Sequence, residues 1–187
     1  MPRYNNNNIN RTLGVSQSGT GSSTYYQWYG YGNYYTWASA MANTNYYDSP
    51  TAQDFNGKTS ETVNTSICPK GWRLPYGRTN NKGATSKGFS YLDTQMGGSG
   101  TSANSSTTPD GVARSIVWRS FPNNFIFSGY FDGSSANNRS NGGLYWSSTA
   151  NSNRNSYTLY LVGYGLNPGS RDFDKHYGNS VRCVVDN

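Results

Sequence analysis

The sequence predicts an α+β domain of two short helices and small antiparallel sheets, with a high loop content. Three observations lead there. The 17 Tyr, 7 Phe and 5 Trp can bury about 150 to 250 Å² each, so aromatics supply a core in a chain that is only 33% hydrophobic. With 22 Gly and many Asn, Ser and Thr, turns are frequent. Helical spacing is confined to brief stretches, whereas alternation recurs toward the C-terminus. At 187 residues the chain suits a single domain.

Residues 1–24 read as an N-terminal arm with one short strand at Leu13 and Val15, and residues 25–187 as one domain. Tyr34, Trp37, Ala38 and Met41 fall at helical spacing and predict a helix over 34–43. Residues 44–66 form a polar loop punctuated by Pro50 and Gly57. The run Ile67 to Pro75, too rich in Pro and Gly for a helix, is a turn entering a short strand. Phe89, Leu92 and Met96 mark a second helix, with Ser86 as N-cap and Gly97-Gly98 as the stop. Residues 98–111 form a surface loop, and Val112 to Trp118 is ambiguous between helix and strand, with a helical turn preferred.

Asn124 to Tyr130 and Leu144 to Thr149 predict adjacent antiparallel strands joined by a long loop. In Tyr157 to Val162 side chains alternate, so Tyr157, Leu159 and Leu161 take one face and Thr158, Tyr160 and Val162 the other. One face packs and the other is free. Val181, Cys183 and Val185 alternate in a last strand.

The 15 Lys and Arg are scattered singly, and with only 9 carboxylates the net charge of +6 reflects missing acids. Nucleic acid is not the expected partner. No apolar run reaches the roughly 18 residues of a membrane span, so no direct membrane insertion is expected. Cys68 and Cys183 are too few and too far apart for a metal knuckle. They either pair, which implies an oxidising compartment, or remain buried thiols.

Five stretches keep the order of a known family: Tyr35-Thr36-Trp37-Ala38 with Ala40 to Ala42, Ser66 to Pro75, Pro122 to Tyr130, Tyr145 to Ala150, and Ser180 to Val184. The cysteine stretch Ile67-Cys68-Pro69-Lys70-Gly71-Trp72-Arg73-Leu74-Pro75 and the stretch Trp146-Ser147-Ser148-Thr149 are the specific ones. On these residues the chain resembles the Fibrobacter succinogenes major paralogous domain family, bacterial surface domains with a C-type-lectin-like fold. The resemblance implies that fold, a Cys68–Cys183 disulfide, and an extracellular or cell-surface location. Some family members resemble variable proteins of diversity-generating retroelements, in which adenine-directed mutagenesis rewrites AAY codons to NNY. NNY codons never encode Trp, Met, Gln, Lys or Glu. After Trp146 only Lys175 is of those types, whereas 17 such residues occur in 1–146.

This implies a variable ligand-binding region at about residues 144–180. Tyr145, Trp146, Leu159, Leu161, Val181 and Cys183 are expected to hold the fold. The expected ligand contacts are Asn151, Asn153, Arg154, Asn155, Thr158, Tyr160, Val162, Tyr164, Leu166, Arg171, Asp172, Phe173, Asp174, His176 and Tyr177. Tyr160, Tyr164, Phe173 and Tyr177 are the anchors, since Tyr-rich surfaces with Asn and Ser resemble antibody paratopes. The expected partner is a protein or glycan on another cell or phage. A fixed surface adhesin or envelope domain binding one glycan or protein is the competing reading.

No cofactor, metal or catalytic residue is expected. Asp172, Asp174 and His176 alternate as metal ligands can, but a solvated surface trio accounts for them equally well. The calcium signatures of sugar-binding C-type lectins are missing, because Ser147-Ser148 follows Trp146. His176 is the single histidine, and no nucleophile elbow accompanies it.

Overall fold

Thr36 starts the first helix. Its hydroxyl accepts the Ser39 backbone N–H at 3.2 Å, capping α1 (Trp37–Ala40) as threonine does at an N-cap. The computed structural model describes residues 33–42, 66–77, 88–104, 109–152 and 154–186. The expected N-terminal arm, the loop from 44 to 65, Ser86 and Asn153 lie outside the described residues. α1 is shorter than the span 34–43, with Tyr34 and Met41 buried as flanking residues.

α2 (Phe89–Gln95) begins at Gly88 without a side-chain cap and ends before Gly97, whose φ of +85° only glycine adopts freely. A third helix, α3 (Pro109–Arg119), corrects the expectation of two. It buries Arg114, Ser115 and Trp118 while exposing Val112, Ile116 and Val117. Its aliphatic residues Val112, Ile116 and Val117 therefore mark the solvent face, and the hydrophobic period misleads. No helix among the described residues is long and apolar enough to cross a membrane.

The main sheet has four antiparallel strands in the order β2-β7-β6-β5. They are β2 (Ala103–Asn104), β5 (Gly142–Ala150), β6 (Asn155–Val162) and β7 (Gly165–Asp174). Two small antiparallel pairs flank it: β1 (Trp72–Arg73) with β8 (Val184–Val185), and β3 (Tyr130–Phe131) with β4 (Ala136–Asn137). The strand expected over 124–130 is irregular up to Tyr130, and the partner of β5 is β6. Phe125 and Ile126 are held by other means: Tyr145 Oη donates to the Ile126 carbonyl at 2.8 Å and accepts its N–H at 2.9 Å. The last strand is likewise shorter than expected, because Val181, Arg182 and Cys183 precede β8 without a ladder.

Every residue of β5 is buried, because a core lies on each face of it. Tyr145 belongs to one cluster with Phe89, Trp118, Phe125, Leu159, Leu161 and Leu166. Its neighbour Trp146 points the other way, into a cluster with Trp37, Met41, Leu74 and Ala150. The buried polar run that follows is a junction. Trp37 Nε1 donates to the Ser147 carbonyl at 2.8 Å and Trp146 Nε1 to the Tyr35 carbonyl at 2.7 Å. Ser148 N–H donates to Pro75 O at 3.0 Å, and Thr149 Oγ1 accepts Gly77 N–H at 3.1 Å.

The Cys68–Cys183 disulfide is formed, with an S–S distance of 2.07 Å and a sequence separation of 115. Beside it, β1 pairs with β8, and Arg73 Nε meets Asp186 Oδ1 at 2.9 Å. These contacts close the end of the chain onto its middle.

Candidate functional site

Strands β6 and β7 project the residues of interest from a hairpin whose two-residue tip, Gly163-Tyr164, follows the pairing of Val162 with Gly165. Alternation sends the outward positions to two opposite faces. On the face shared with Trp146 lie Tyr160, Arg171 and Phe173, since Thr158 pairs with both Trp146 and Arg171. On the other lie Asn155, Tyr157, Asp172 and Asp174. The single surface expected from the sequence is thus two.

The first face is aromatic and cationic. The Arg171 guanidinium sits 4.2 Å over the Tyr160 ring and 6.0 Å from Phe173, within cation–π range. Phe173 meets Tyr130 edge-on at 5.2 Å and Tyr177 at 5.7 Å, while Tyr130 and Tyr177 stack at 5.8 Å with an interplanar angle of 13°. Burial, reinforced by Tyr177, Asp132 and Tyr160, pushes the Tyr130 hydroxyl above its ordinary pKa, against the opposing pull of Arg171. Tyr130 comes from β3, outside the C-terminal region, and was missed in the sequence. Its signal was the run Phe127-Ser128-Gly129-Tyr130-Phe131, which reads equally as a core strand.

The second face is built of carboxamides and carboxylates. Asp172 Oδ2 accepts from Asn151 Nδ2 at 3.0 Å and from Asn155 Nδ2 at 2.9 Å. Asp174 accepts Arg154 Nε at 2.9 Å, and the His176 backbone N–H at 3.0 Å with the ring Nδ1 at 3.2 Å. Among the described residues no group of three or more His, Cys, Asp or Glu is arranged to hold a metal ion.

Burial by itself would raise the Asp174 pKa. The His176 N–H, the Arg154 hydrogen bond and charge, and the His176 charge outweigh it and hold the carboxyl below its ordinary 3.8. A depressed folded-state pKa contributes stability that is present above the unfolded value and lost as pH falls through the folded value. Arg154 is 67% exposed, so solvent screening keeps this contribution small. The melting difference between the parent and Arg154→Ser should therefore be measurable at neutral pH and low salt and vanish below the Asp174 titration. A difference that persists in acid contradicts this.

Three expected contacts face inward. Thr158 is fully buried beside Trp146, and its hydroxyl donates to the Arg171 carbonyl at 3.0 Å. Leu166, 1% exposed, pairs with Leu161 and joins the first core cluster. Val162, 4% exposed, lies over the bare backbone of Gly142 opposite it, and its carbonyl accepts from Ser115 Oγ at 2.5 Å. The physical reason is that two clusters on opposite faces cover different stretches of β6. One buries Ser156 and Thr158, the other Leu159 and Leu161. Tyr164, 51% exposed at the tip, stands apart from both faces. Arg154, Arg171 and Asp172 are exposed, and Asn151, Asn155, Tyr160, Phe173, Asp174, His176 and Tyr177 are half-buried.

The distinction is measurable by thermal melts of single variants. Tyr160→Ser removes one surface cation–π contact and Arg171→Ser that contact and the longer one to Phe173, and each should cost about 1 kcal/mol or less. Leu166→Asn opens a cavity and buries an amide, costing about 2 to 5 kcal/mol. Equal losses contradict the partition. In comparisons with known proteins, the chain matches no family model, no curated protein and no solved structure.

Proposed function

We propose that the chain is a surface-displayed ligand-binding protein with a C-type-lectin-like fold, whose C-terminal region is diversified by a diversity-generating retroelement. The observation that carries this reading is how the hairpin is divided. Tyr160, Arg171 and Tyr177 reach solvent, while Leu159, Leu161, Trp146 and the disulfide hold the backbone behind them. Side chains on such positions can change with little loss of stability. Lys175 adds support. It is the one residue after Trp146 that NNY codons cannot encode, and it is a framework residue, 5% exposed, with Nζ 4.6 Å from the Trp37 ring centroid.

The aromatic and cationic face suits a protein or glycan on another cell or phage, with Tyr and Arg as rigid anchors. No catalytic residue, cofactor or nucleic acid enters the reading. The disulfide calls for a non-reducing environment, in line with display outside the cell.

One observation favours the second reading, a fixed adhesin. Tyr130 lies outside the C-terminal region yet completes the aromatic cluster, and Phe173 packs partly against the Trp37 and Trp146 core. Sequencing the gene and its neighbourhood decides between them. The diversified reading expects a near-identical template repeat and a reverse transcriptase beside the gene, with sibling genes differing at the outward positions of β6 and β7. Siblings that differ evenly across all loops, with no template repeat, leave the adhesin.

A further inference from the structure

Beside the disulfide lies a cleft of about 390 Å³, with Cys183 in its lining. None of the fifteen expected contact residues lines it. Its volume falls within the roughly 300 to 1,000 Å³ of small-molecule sites. Ile67, Ile126 and Val181 provide apolar wall. Among the described residues no Asp or Glu lines it, and Arg182 is its single charged residue.

Arg182 is half-buried and held from two directions. Its Nη2 donates to the Asn123 carbonyl at 2.8 Å, and its guanidinium carbon lies 5.2 Å from the Phe125 ring centroid, within cation–π range. Among the described residues it forms no ion pair, and Nε and Nη1 make no hydrogen bond. A charge drawn partly out of water is costly unless it is paired. One carbonyl and one ring face offset only part of that cost. Burial pushes the Tyr145 hydroxyl above its ordinary pKa, opposed by hydrogen bonds with Ile126 and Ser128 and by the Arg182 charge, so the guanidinium is near enough to bias that hydroxyl. Tyr145 also lines the cleft, but its hydroxyl already exchanges two hydrogen bonds with Ile126. Asn33 Oδ1 and Ser180 Oγ are closed to solvent and take no part.

One guanidinium in an otherwise uncharged cleft selects an anion. A cation is repelled, and a metal ion finds no carboxylate among the lining residues. The planar guanidinium pairs well with a carboxylate, whereas a phosphate dianion keeps charge unmet because no second cation lines the cleft. The wall of Ile67, Ile126 and Val181 gives no hydrogen bond and takes hydrocarbon. We propose that the cleft is a second binding site, independent of the diversified face, for a small monocarboxylic acid with an apolar body, its carboxylate on Arg182.

The test is saturation-transfer NMR on the full chain, titrated with phenylacetate and, separately, with its neutral isostere phenylacetamide. Phenylacetate should bind, and phenylacetamide at least about tenfold more weakly, the equivalent of one charge-assisted hydrogen bond. Arg182→Gln should weaken phenylacetate binding by a similar factor. Ile67→Trp keeps the guanidinium and fills the cleft, so it should abolish binding even if Arg182→Gln fails to fold. Arg171→Gln should leave binding intact, and it is this arm that separates the cleft from the hairpin face. Absence of phenylacetate binding overturns the proposal, as does equal binding of the amide. So do binding that survives Ile67→Trp or a folded Arg182→Gln, binding lost in Arg171→Gln, and displacement by inorganic phosphate at the concentration of phenylacetate, which would mean that the apolar wall contributes nothing.

Discussion

Replacing Asp93 with alanine is expected to cost about 3 to 5 kcal/mol, the cost of breaking a buried ion pair from one side. Asp93 is 1% exposed and lies at the centre of a polar knot. Oδ1 accepts Trp118 Nε1 at 3.0 Å and Arg114 Nε at 3.2 Å, while Oδ2 accepts Gly100 N–H at 2.8 Å and contacts Arg114 Nη2. Arg114, 6% exposed, reaches on to Thr101 O at 2.6 Å and Ser99 Oγ at 3.2 Å. The knot therefore ties α2, α3 and the loop before β2 together. Alanine leaves the buried guanidinium with only the distant, exposed Asp110 carboxylate at 3.5 Å, and the Trp118 donor unmet. Because much of the cost is the orphaned charge, Asp93→Leu combined with Arg114→Met should lose much less than the sum of the single changes. Urea denaturation of the two single variants and the double variant checks this. A single change costing under about 1 kcal/mol contradicts the role given to the knot.

Loss of the Cys68–Cys183 bond has the other large effect. Removing a link with a sequence separation of 115 releases chain entropy in the unfolded state worth about 4 to 5 kcal/mol. In a chain of this size each kcal/mol is about 2 to 4 °C of melting temperature. Cys68→Ala with Cys183→Ala, or reduction of the parent, should therefore lower the melting point by about 10 to 20 °C. The β1–β8 pair and the Arg73–Asp186 contact remain, but they join short segments and do not replace a covalent closure. A shift of less than about 3 °C would mean that the packing of Trp37, Leu74 and Trp146 closes the chain without the sulfurs.

The parts of the fold that were legible in the sequence are those where local pattern and tertiary demand coincide. Phe89, Leu92 and Met96 mark α2 because their spacing matches the face it buries. Tyr145 and Trp146 were readable as core, although not that they enter different cores. α3 was read as a helical turn because Arg114 and Ser115 point inward and Val112 and Ile116 outward, the reverse of the usual pattern. The buried partnership with Asp93, which a single sequence does not display, is the main contact that makes a buried arginine economical; Asp110, at i,i+4, adds an exposed one at 3.5 Å.

The candidate site was legible to a similar degree. Tyr160, Arg171 and Tyr177 reach solvent as alternation and composition suggested. Thr158, Val162 and Leu166 do not, since period alone gives which residues share a face and not what covers it. Tyr130 joins the cluster through long-range contacts of β3 with Phe173 in β7 and Tyr177 just after it, which have no local signature.

The claim underneath is that a locked framework frees the outward side chains of the β6–β7 hairpin to vary. Its most direct test is a displayed saturation library over residues 154–177, sorted for protease resistance. The account predicts that Tyr160, Tyr164, Arg171, Asp172 and Tyr177 accept most residue types, whereas Thr158, Leu159, Leu161, Leu166 and Lys175 accept few. If Tyr160, Arg171 and Tyr177 prove as intolerant as Leu159 and Leu161, those side chains belong to the fold and the proposed freedom of the hairpin does not exist.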